Sequence, residues 1–421
     1  MVYDGKKVLI LGYGLSGKAC ERFLKEKGAT VSIYDDYHSE YESASDNVEY
    51  DFAVISPAFS LKHRVVAKLS GQGVPILSEL DLAYVNCKSK KIVAVSGTNG
   101  KTTVCTILYD MLKRVERVHL VGNIGVSFIG EVSKIHRNDI VIVEISSFQL
   151  EQSKYFTPMV GALTNVGEDH LDRHVTRENY RAIKLSLPER SGIAILNADD
   201  PVQSGYPRGI RYSVKKQADY CIFGREIFSR KGRSAMPERS RGAAFDLDFL
   251  CAYSIASTLV GERKEFLKSY SSVCLPPFRN EYVGTLCGAD VYNDSKGTNI
   301  DATLFAADMI GGDYAIILGG SDKGESYDRL FNGLNDRVKK IYLVGANAGD
   351  MYRAASKEDR EKCMLCADLD SCIEDFIRNP FPFLLFSPAS ASFDQYSGYR
   401  ERGEHFNDIL KKHGASFIAK N

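Results

Sequence analysis

Twice in this chain a strand-length apolar run passes through a glycine-rich loop into a helical pattern, and that arrangement narrows the fold more than any other feature. Lys7-Val8-Leu9-Ile10-Leu11 leads into Gly12-Tyr13-Gly14-Leu15-Ser16-Gly17 and then the helical spacing Ala19, Phe23, Leu24. Val93-Ala94-Val95 leads into Ser96-Gly97-Thr98-Asn99-Gly100-Lys101-Thr102-Thr103. Strands that end in glycine turns and return as helices build parallel sheets covered by helices, with ligands gathered at the carboxyl ends of the strands. Further strand-like runs at 31–34, 53–55, 140–145, 160–164, 192–196, 314–318, 340–344 and 383–386 extend the alternation, with a helical pattern at 245–259. A polar stretch at 86–89 and the adjacent Pro276-Pro277 interrupt it, since paired prolines cannot continue a helix. Three consecutive α/β units are therefore expected. The charge- and proline-bearing patch at 225–241 reads as an exposed connection or excursion.

Charge excludes some partners. Lys plus Arg and Asp plus Glu number 54 each among 421 residues, so no excess charge argues for nucleic acid or an acidic membrane surface. No apolar run reaches the ~18–20 residues of a membrane span, and residues 1–10 lack a signal-peptide pattern. A cytoplasmic location with reduced thiols is expected. Cys363 and Cys366 have metal-like spacing and Cys372 follows, but no second pair or His pair accompanies them, so they read as small apolar fillers.

The two loops make different offers. In Gly12–Gly17 the glycines permit a tight turn and let backbone N–H groups approach a diphosphate at a helix N-terminus, and Asp35 follows the next strand where an acid accepts from a ribose or base. Alone, this loop fits NAD, FAD or any other diphosphate ligand, and an NAD-dependent oxidoreductase is the rival from another class. In the loop at 97–103, glycines free the backbone to wrap phosphates, Lys101 can reach the β- and γ-phosphates, and Thr102 can ligate Mg²⁺. Val95 stands where the general motif places its first Gly, so the loop is a variant. It points to ATP, which the oxidoreductase reading leaves unexplained.

Downstream, Glu144 ends an apolar strand, a position suited to Mg²⁺. His170 and His174 are four apart, but the H-E-x-x-H arrangement of zinc enzymes is missing. His170 reads as a second-metal ligand or substrate contact and His174 as structural. Lys184 on a helical stretch has no special role by spacing alone.

Taken in order, several segments resemble the Mur ligases. They are Gly97 to Thr103, Gly122-Asn123-Ile124-Gly125, Glu144 to Glu151, Glu168-Asp169-His170-Leu171-Asp172, Asn197-Ala198-Asp199-Asp200, Asn293-Asp294-Ser295-Lys296-Gly297-Thr298-Asn299 and Gly319-Gly320-Ser321-Asp322-Lys323-Gly324. Ser387 to Tyr396, Arg402-Gly403-Glu404-His405-Phe406 and Ser146-Ser147-Phe148-Gln149-Leu150 look like the D-glutamate-adding branch.

The resemblance implies a three-domain enzyme. A Rossmann-like domain (1–88) would bind the UDP substrate, a central P-loop ATPase-like domain (89–275) ATP, and a C-terminal Rossmann-like domain (276–421) D-glutamate. The implied reaction is ATP-dependent, ADP-forming addition of D-glutamate to UDP-N-acetylmuramoyl-L-alanine through an acyl phosphate, with two Mg²⁺ ions. A sister amino-acid ligase, of the Mur or folylpolyglutamate type, is the nearest alternative, and a monomer is expected. Gly14, Leu15, Ser16, Asp35, Asp36, Ser56, Asn123 and His170 would contact the UDP substrate. Gly97, Thr98, Asn99, Gly100, Lys101, Thr102, Thr103, Arg279 and Asp294 would contact ATP. Thr298, Lys323, Ser392 and Tyr399 would hold D-glutamate, and Thr102, Glu144, His170 and a carbamylated Lys184 the metals. Lys101, His170, Lys184, Lys296 and Lys323 would be catalytic. Two segments depart from the family: Pro277-Phe278-Arg279 replaces Pro-His-Arg, and Phe245-Asp246-Leu247-Asp248-Phe249 replaces the His-Asn-x-x-Asn that helps hold adenine.

Overall fold

A computed structural model describes residues 2–37, 49–167, 171–237, 243–322 and 326–417, without the side chains of 171, 172, 243 and 244. The chain divides into two compact units, Met1–Glu238 with Leu247–Val273, and Arg239–Asp246 with Cys274–Asn421. Its strands form three sheets, two in the first unit and one in the second.

The first sheet is parallel, in the order β2-β1-β3-β4, from β1 (Lys7–Leu11), β2 (Thr30–Tyr34), β3 (Phe52–Ile55) and β4 (Ile76–Ser78). Neighbours of β1 on opposite sides follow it in sequence, so the order reverses at its carboxyl end. That is where open α/β sheets hold ligands. Helices α1 (Leu15–Glu26), α2 (Arg64–Gly71) and α3 (Glu79–Asn86) accompany it.

The second sheet has nine strands, order β13-β12-β11-β10-β9-β8-β5-β7-β6. They are β5 (Ile92–Ser96), β6 (Val118–Gly122), β7 (Ile140–Glu144), β8 (Val160–Leu163), β9 (Ile193–Asn197), β10 (Ile210–Ser213), β11 (Tyr220–Phe223), β12 (Glu226–Ser229) and β13 (Gly232–Ala235). The strands β5 and β7 are apolar throughout except at their last residues, as strands covered on both faces require. Order again reverses at β5, between β8 and β7. Within the patch at 225–241, residues 226–235 form the antiparallel hairpin β12–β13 at the sheet edge, an excursion and not a plain connection. Its short, largely polar strands carry too little apolar alternation to read as strands. The helices used below are α4 (Lys101–Leu112), α5 (Phe128–Glu131), α6 (Ser147–Gln152), α7 (Leu171–His174) and α8 (Arg177–Arg190).

One apolar core serves both sheets of the first unit. Val8 and Ile10 of β1, Ala94 of β5 and Val141 and Val143 of β7 join Phe23 and Leu24 of α1, Leu80 and Leu82 of α3, and Phe128 and Ile129 of α5.

The third sheet, order β18-β17-β16-β19-β15-β14-β20, has two antiparallel strands at one edge and a parallel remainder. Its strands are β14 (Glu281–Leu286), β15 (Ala289–Asn293), β16 (Tyr314–Leu318), β17 (Val338–Leu343), β18 (Cys363–Leu365), β19 (Phe383–Phe386) and β20 (Ser416–Phe417). Alternate residues serve opposite faces: Ile316 and Leu318 enter one core, Ala315 and Ile317 the other. Among the described residues no helix is long and apolar enough to cross a membrane.

Candidate active site

The phosphate-type loop joins β5 to α4, a helix with no side-chain cap whose N-terminus leaves backbone N–H groups for an anion. Gly97 has φ 142°, and a Cβ there would meet Thr164 Oγ1 at 1.9 Å, so only glycine fits. The loop is held from one side by the segment after β8. Thr98 N donates to Asn165 O (2.9 Å), Asn99 N to Asn165 Oδ1 (2.9 Å), and Gly167 N to Thr98 Oγ1 (2.9 Å). Tyr180 of α8, buried, brings its hydroxyl within 3.0 Å of Thr98 Oγ1. Thr102 is buried at the first turn of α4, and Thr103 half-buried beside it.

Two lysines converge on this loop. Lys101 Nζ donates to Gly97 O (2.8 Å) and Thr98 O (2.7 Å), curling over the cradle. Lys184, from α8, is only 1% exposed and donates to the same Gly97 O (2.8 Å) and to Ser96 Oγ (3.1 Å). Burying an ammonium is expensive unless it is bonded. A lysine that spacing alone leaves as an ordinary surface charge is thus drawn into the loop.

Glu144 ends β7, opposite Val95 in the parallel ladder. Its Oε1 accepts from Asn123 Nδ2 (3.2 Å), and its Oε2 is buried with no hydrogen-bond partner among the described residues. An unmatched buried carboxylate oxygen beside a phosphate loop is the donor a hard divalent cation takes, and Thr102 adds a hydroxyl oxygen, so these residues fit Mg²⁺. His170 lies outside the described residues. His174 is buried, with Nε2 2.9 Å from Ser147 Oγ.

The glycine loop after β1 sits at the other reversal point. Gly17 packs α1 onto it so closely that a Cβ would stand 2.1 Å from Gly12 O. Ser56 donates from Oγ to Leu11 O (2.7 Å) and Gly12 O (2.6 Å), fixing the turn from β3. Asp35 is buried and accepts from the backbone N–H groups of Tyr13 (2.6 Å) and Tyr37 (2.9 Å), so in this state it braces the loop. Asp36 meets the Tyr34 hydroxyl (3.1 Å) and His63 Nε2 (3.3 Å). Leu15 is 85% exposed, Gly14 is exposed, and Ser16 is half-buried at the helix start.

In the second unit the carboxyl ends of β15, β16 and β19 meet. Asp294 accepts from Asn280 N (2.9 Å) and Ser387 Oγ (2.6 Å), and burial pushes its carboxyl up to about 7 against those bonds and the charges of Arg279 and Lys296. Lys296 lies 4.6 Å from the centre of the Tyr399 ring. Thr298 N donates to Lys296 O (2.8 Å), and Ser392 is buried in the loop after β19. Lys323 lies outside the described residues.

Some residues of the segments quoted above act in ways that the sequence does not show. Arg402 is buried and donates to Ser295 Oγ and O, Ser390 O and Ala391 O at 2.9–3.1 Å, tying the turn after β15 to the loop after β19. Asp248, in the replaced segment, lies against the phosphate loop, where a Cβ on Gly100 would come within 2.5 Å of its carboxylate. Phe278, standing where the family has His, is buried with its ring over Gly403 and takes the left-handed φ of 65°. Of the spaced cysteines, Cys366 donates from Sγ to Met364 O (3.8 Å) and Cys372 to Asp368 O (3.3 Å), and among the described residues the three form no metal-binding group.

Comparison with known proteins bears on the family and the fold. Residues 95–262 match the Mur ligase middle domain. The chain is 31% identical to the UDP-N-acetylmuramoylalanine--D-glutamate ligase of Caldicellulosiruptor saccharolyticus, over 97% of this chain and 99% of that one. Identity to the ligase of the same name from Pelotomaculum thermopropionicum is 32%, over 97% and 98%. Among solved structures it resembles the MurF ligase of Thermotoga maritima in complex with ADP, with TM-score 0.65 and 18% identity over 97% of this chain and 95% of that one. It also resembles UDP-N-acetylmuramate-alanine ligase of the same organism, with TM-score 0.62 and 16% identity over 97% and 99%. At those identities the structures speak to fold alone.

The chain belongs to the Mur ligase family and is a ligase. Both sequence relatives named here carry one activity within that family, D-glutamate ligation.

Proposed function

We propose that this protein uses ATP to join D-glutamate to UDP-N-acetylmuramoyl-L-alanine in peptidoglycan-precursor synthesis, acting in the cytoplasm as a monomer. The observation that carries the reading is the meeting of Lys101, Lys184 and a buried, half-satisfied Glu144 at one glycine loop. The relatives' shared name supplies the substrates.

The γ-phosphoryl of ATP passes to the alanyl carboxylate, giving an acyl phosphate and ADP. Lys101 and the backbone N–H groups at 97–103 offset charge on the transferring oxygens. The D-glutamate amine then attacks the acyl carbon, and the tetrahedral intermediate expels phosphate as the nitrogen loses a proton. Positioning and electrostatics supply the acceleration, since no protein nucleophile is needed. Mg²⁺, held by Glu144 and Thr102 with His170 at a second site, would neutralise phosphate charge. Lys184 would join that shell only as a carbamate, whose oxygens suit a hard cation as an ammonium cannot.

The remaining assignments follow the resemblance. Gly14, Leu15, Ser16, Asp35, Asp36, Ser56 and Asn123 serve the UDP substrate. Arg279, Asp294 and Lys296 serve the nucleotide, and Thr298, Lys323, Ser392 and Tyr399 serve D-glutamate. Domain limits at 88/89 and 275/276 are proposed with them.

The test is phosphate release from ATP and UDP-N-acetylmuramoyl-L-alanine with single amino acids. Release with D-glutamate supports the reading. Release with meso-diaminopimelate or L-alanine in its place overturns it in favour of a sister ligase.

A further inference from the structure

Four consecutive backbone carbonyls follow the carboxyl end of β3, and two side chains of the second sheet's helices take all of them. Gln152, the last residue of α6, donates from Nε2 to Ser56 O (3.1 Å), Pro57 O (3.4 Å) and Phe59 O (2.8 Å). Arg173 of α7 donates from Nη1 to Pro57 O (2.9 Å) and Ala58 O (3.4 Å), and from Nη2 to Phe59 O (3.5 Å). The planar fork of a guanidinium suits such a row of acceptors, and an ammonium does not.

Arg173 is itself braced against α6. Its guanidinium carbon lies 4.0 Å from the centre of the Phe148 ring, and its Nε lies 3.5 Å from Glu151 Oε2. The next residue, His174, reaches Ser147 at the first turn of the same helix. Helix α6 begins directly after the strand end that carries Glu144. At the other end of the chain of contacts, Ser56 is bonded to Gly12 of the glycine cradle. Phe59 packs edge-on against Tyr34, 6.0 Å between ring centres, beside Asp35. A path of hydrogen bonds and packed rings thus runs from the cradle to α6, and the backbone through Ile145 and Ser146 joins α6 to Glu144.

We propose that Arg173 is a positioning residue: it couples the 56–59 loop to α6 and α7, so that a uridine diphosphate group in the glycine cradle sets the register of the Glu144 strand end. The inference rests on the ligase reading above, since that reading places the two ends of one substrate at the two ends of this path. Arg173 touches no reacting atom. Its loss leaves the cradle and the phosphate loop intact but mutually unregistered.

The test uses the full chain and UDP itself. In the wild type, UDP slows hydrogen exchange of the α7 amides, 171–174, several-fold. In Arg173→Met that slowing disappears, although calorimetry still detects UDP binding. kcat/KM for the UDP substrate falls about 10- to 100-fold in this variant, the size expected for lost bonds to a charged group, while KM for ATP stays the same. Arg173→Lys, which keeps the charge and is the milder change, recovers part of both losses; it carries the test if the Met variant does not fold. Equal slowing by UDP in the variants and the wild type overturns the coupling, as does no slowing in the wild type. D-glutamate-dependent turnover of the wild type, measured on the same preparation, tests the ligase reading separately.

Discussion

Changing Glu79 to Gln should make the stability difference between variant and wild type grow with pH, because Glu79 is a carboxyl the fold prefers to keep protonated. It opens α3 in the shared core of the first unit, 1% exposed. Its Oε1 accepts from Ile129 N (2.9 Å) at the start of α5, and its Oε2 is buried without a hydrogen-bond partner among the described residues. Cys20 of α1, also buried, is the titratable neighbour. Burial outweighs the backbone bonds from Ile129 and Phe128 and pushes the carboxyl from 4.5 up to about 7. Below the lower value the folded and unfolded chains are both protonated there, so nothing is lost. Between the two values only the unfolded chain releases the proton, and stability falls by up to about 1.4 kcal/mol per pH unit. Across the interval the loss comes to about 3 kcal/mol, complete above about pH 7. The amide of the Glu79→Gln variant does not titrate, so urea unfolding at pH 5, 6, 7 and 8 should show the variant gaining on the wild type by up to that amount. Any fixed cost of a buried amide shifts all four points equally and cancels. A difference that stays flat across the series would refute the reasoning.

Three further outcomes follow from the sites. Lys101→Ala should lower kcat about 10²- to 10³-fold with folding intact, as circular dichroism and steady-state phosphate release would show, because one charge-stabilising donor is lost. Lys184→Ala should abolish turnover, and a short carboxylate such as acetate, whose oxygens can stand where those of a carbamate would, should restore part of it, which a purely structural lysine would not permit. Arg402→Lys should destabilise the second unit by about 2–3 kcal/mol in denaturant melts and raise KM for D-glutamate, since a single ammonium cannot serve Ser295, Ser390 and Ala391 together.

Loops with a backbone signature are legible in the residues, and contacts between distant segments are not. Gly97 and Gly17 announce themselves because their positions exclude a side chain, and the strands beside them are apolar enough to place. Strands at 314–318 and 383–386 match their apolar runs to the residue for the same reason. The hairpin at 226–235 escapes a sequence reading because its strands are short and mostly polar. Lys184 shows nothing of its burial in sequence, where it is one more lysine on a helix, and only its two acceptors on β5 and the loop reveal it. Arg173 and Gln152 are hidden likewise, and Arg402 is legible only as part of a motif: each acts on backbone carbonyls, which carry no residue identity. Phe278 is legible as a replacement, but its left-handed backbone and its packing on Gly403 are not.

The most direct measurement is the mass of the product formed from ATP, UDP-N-acetylmuramoyl-L-alanine and D-glutamate. The wild type should yield the UDP substrate heavier by one glutamyl residue, with one phosphate and one ADP per product, and Lys101→Ala should yield almost none. An unmodified UDP substrate beside full phosphate release, or a product carrying some other amino acid, would contradict the account.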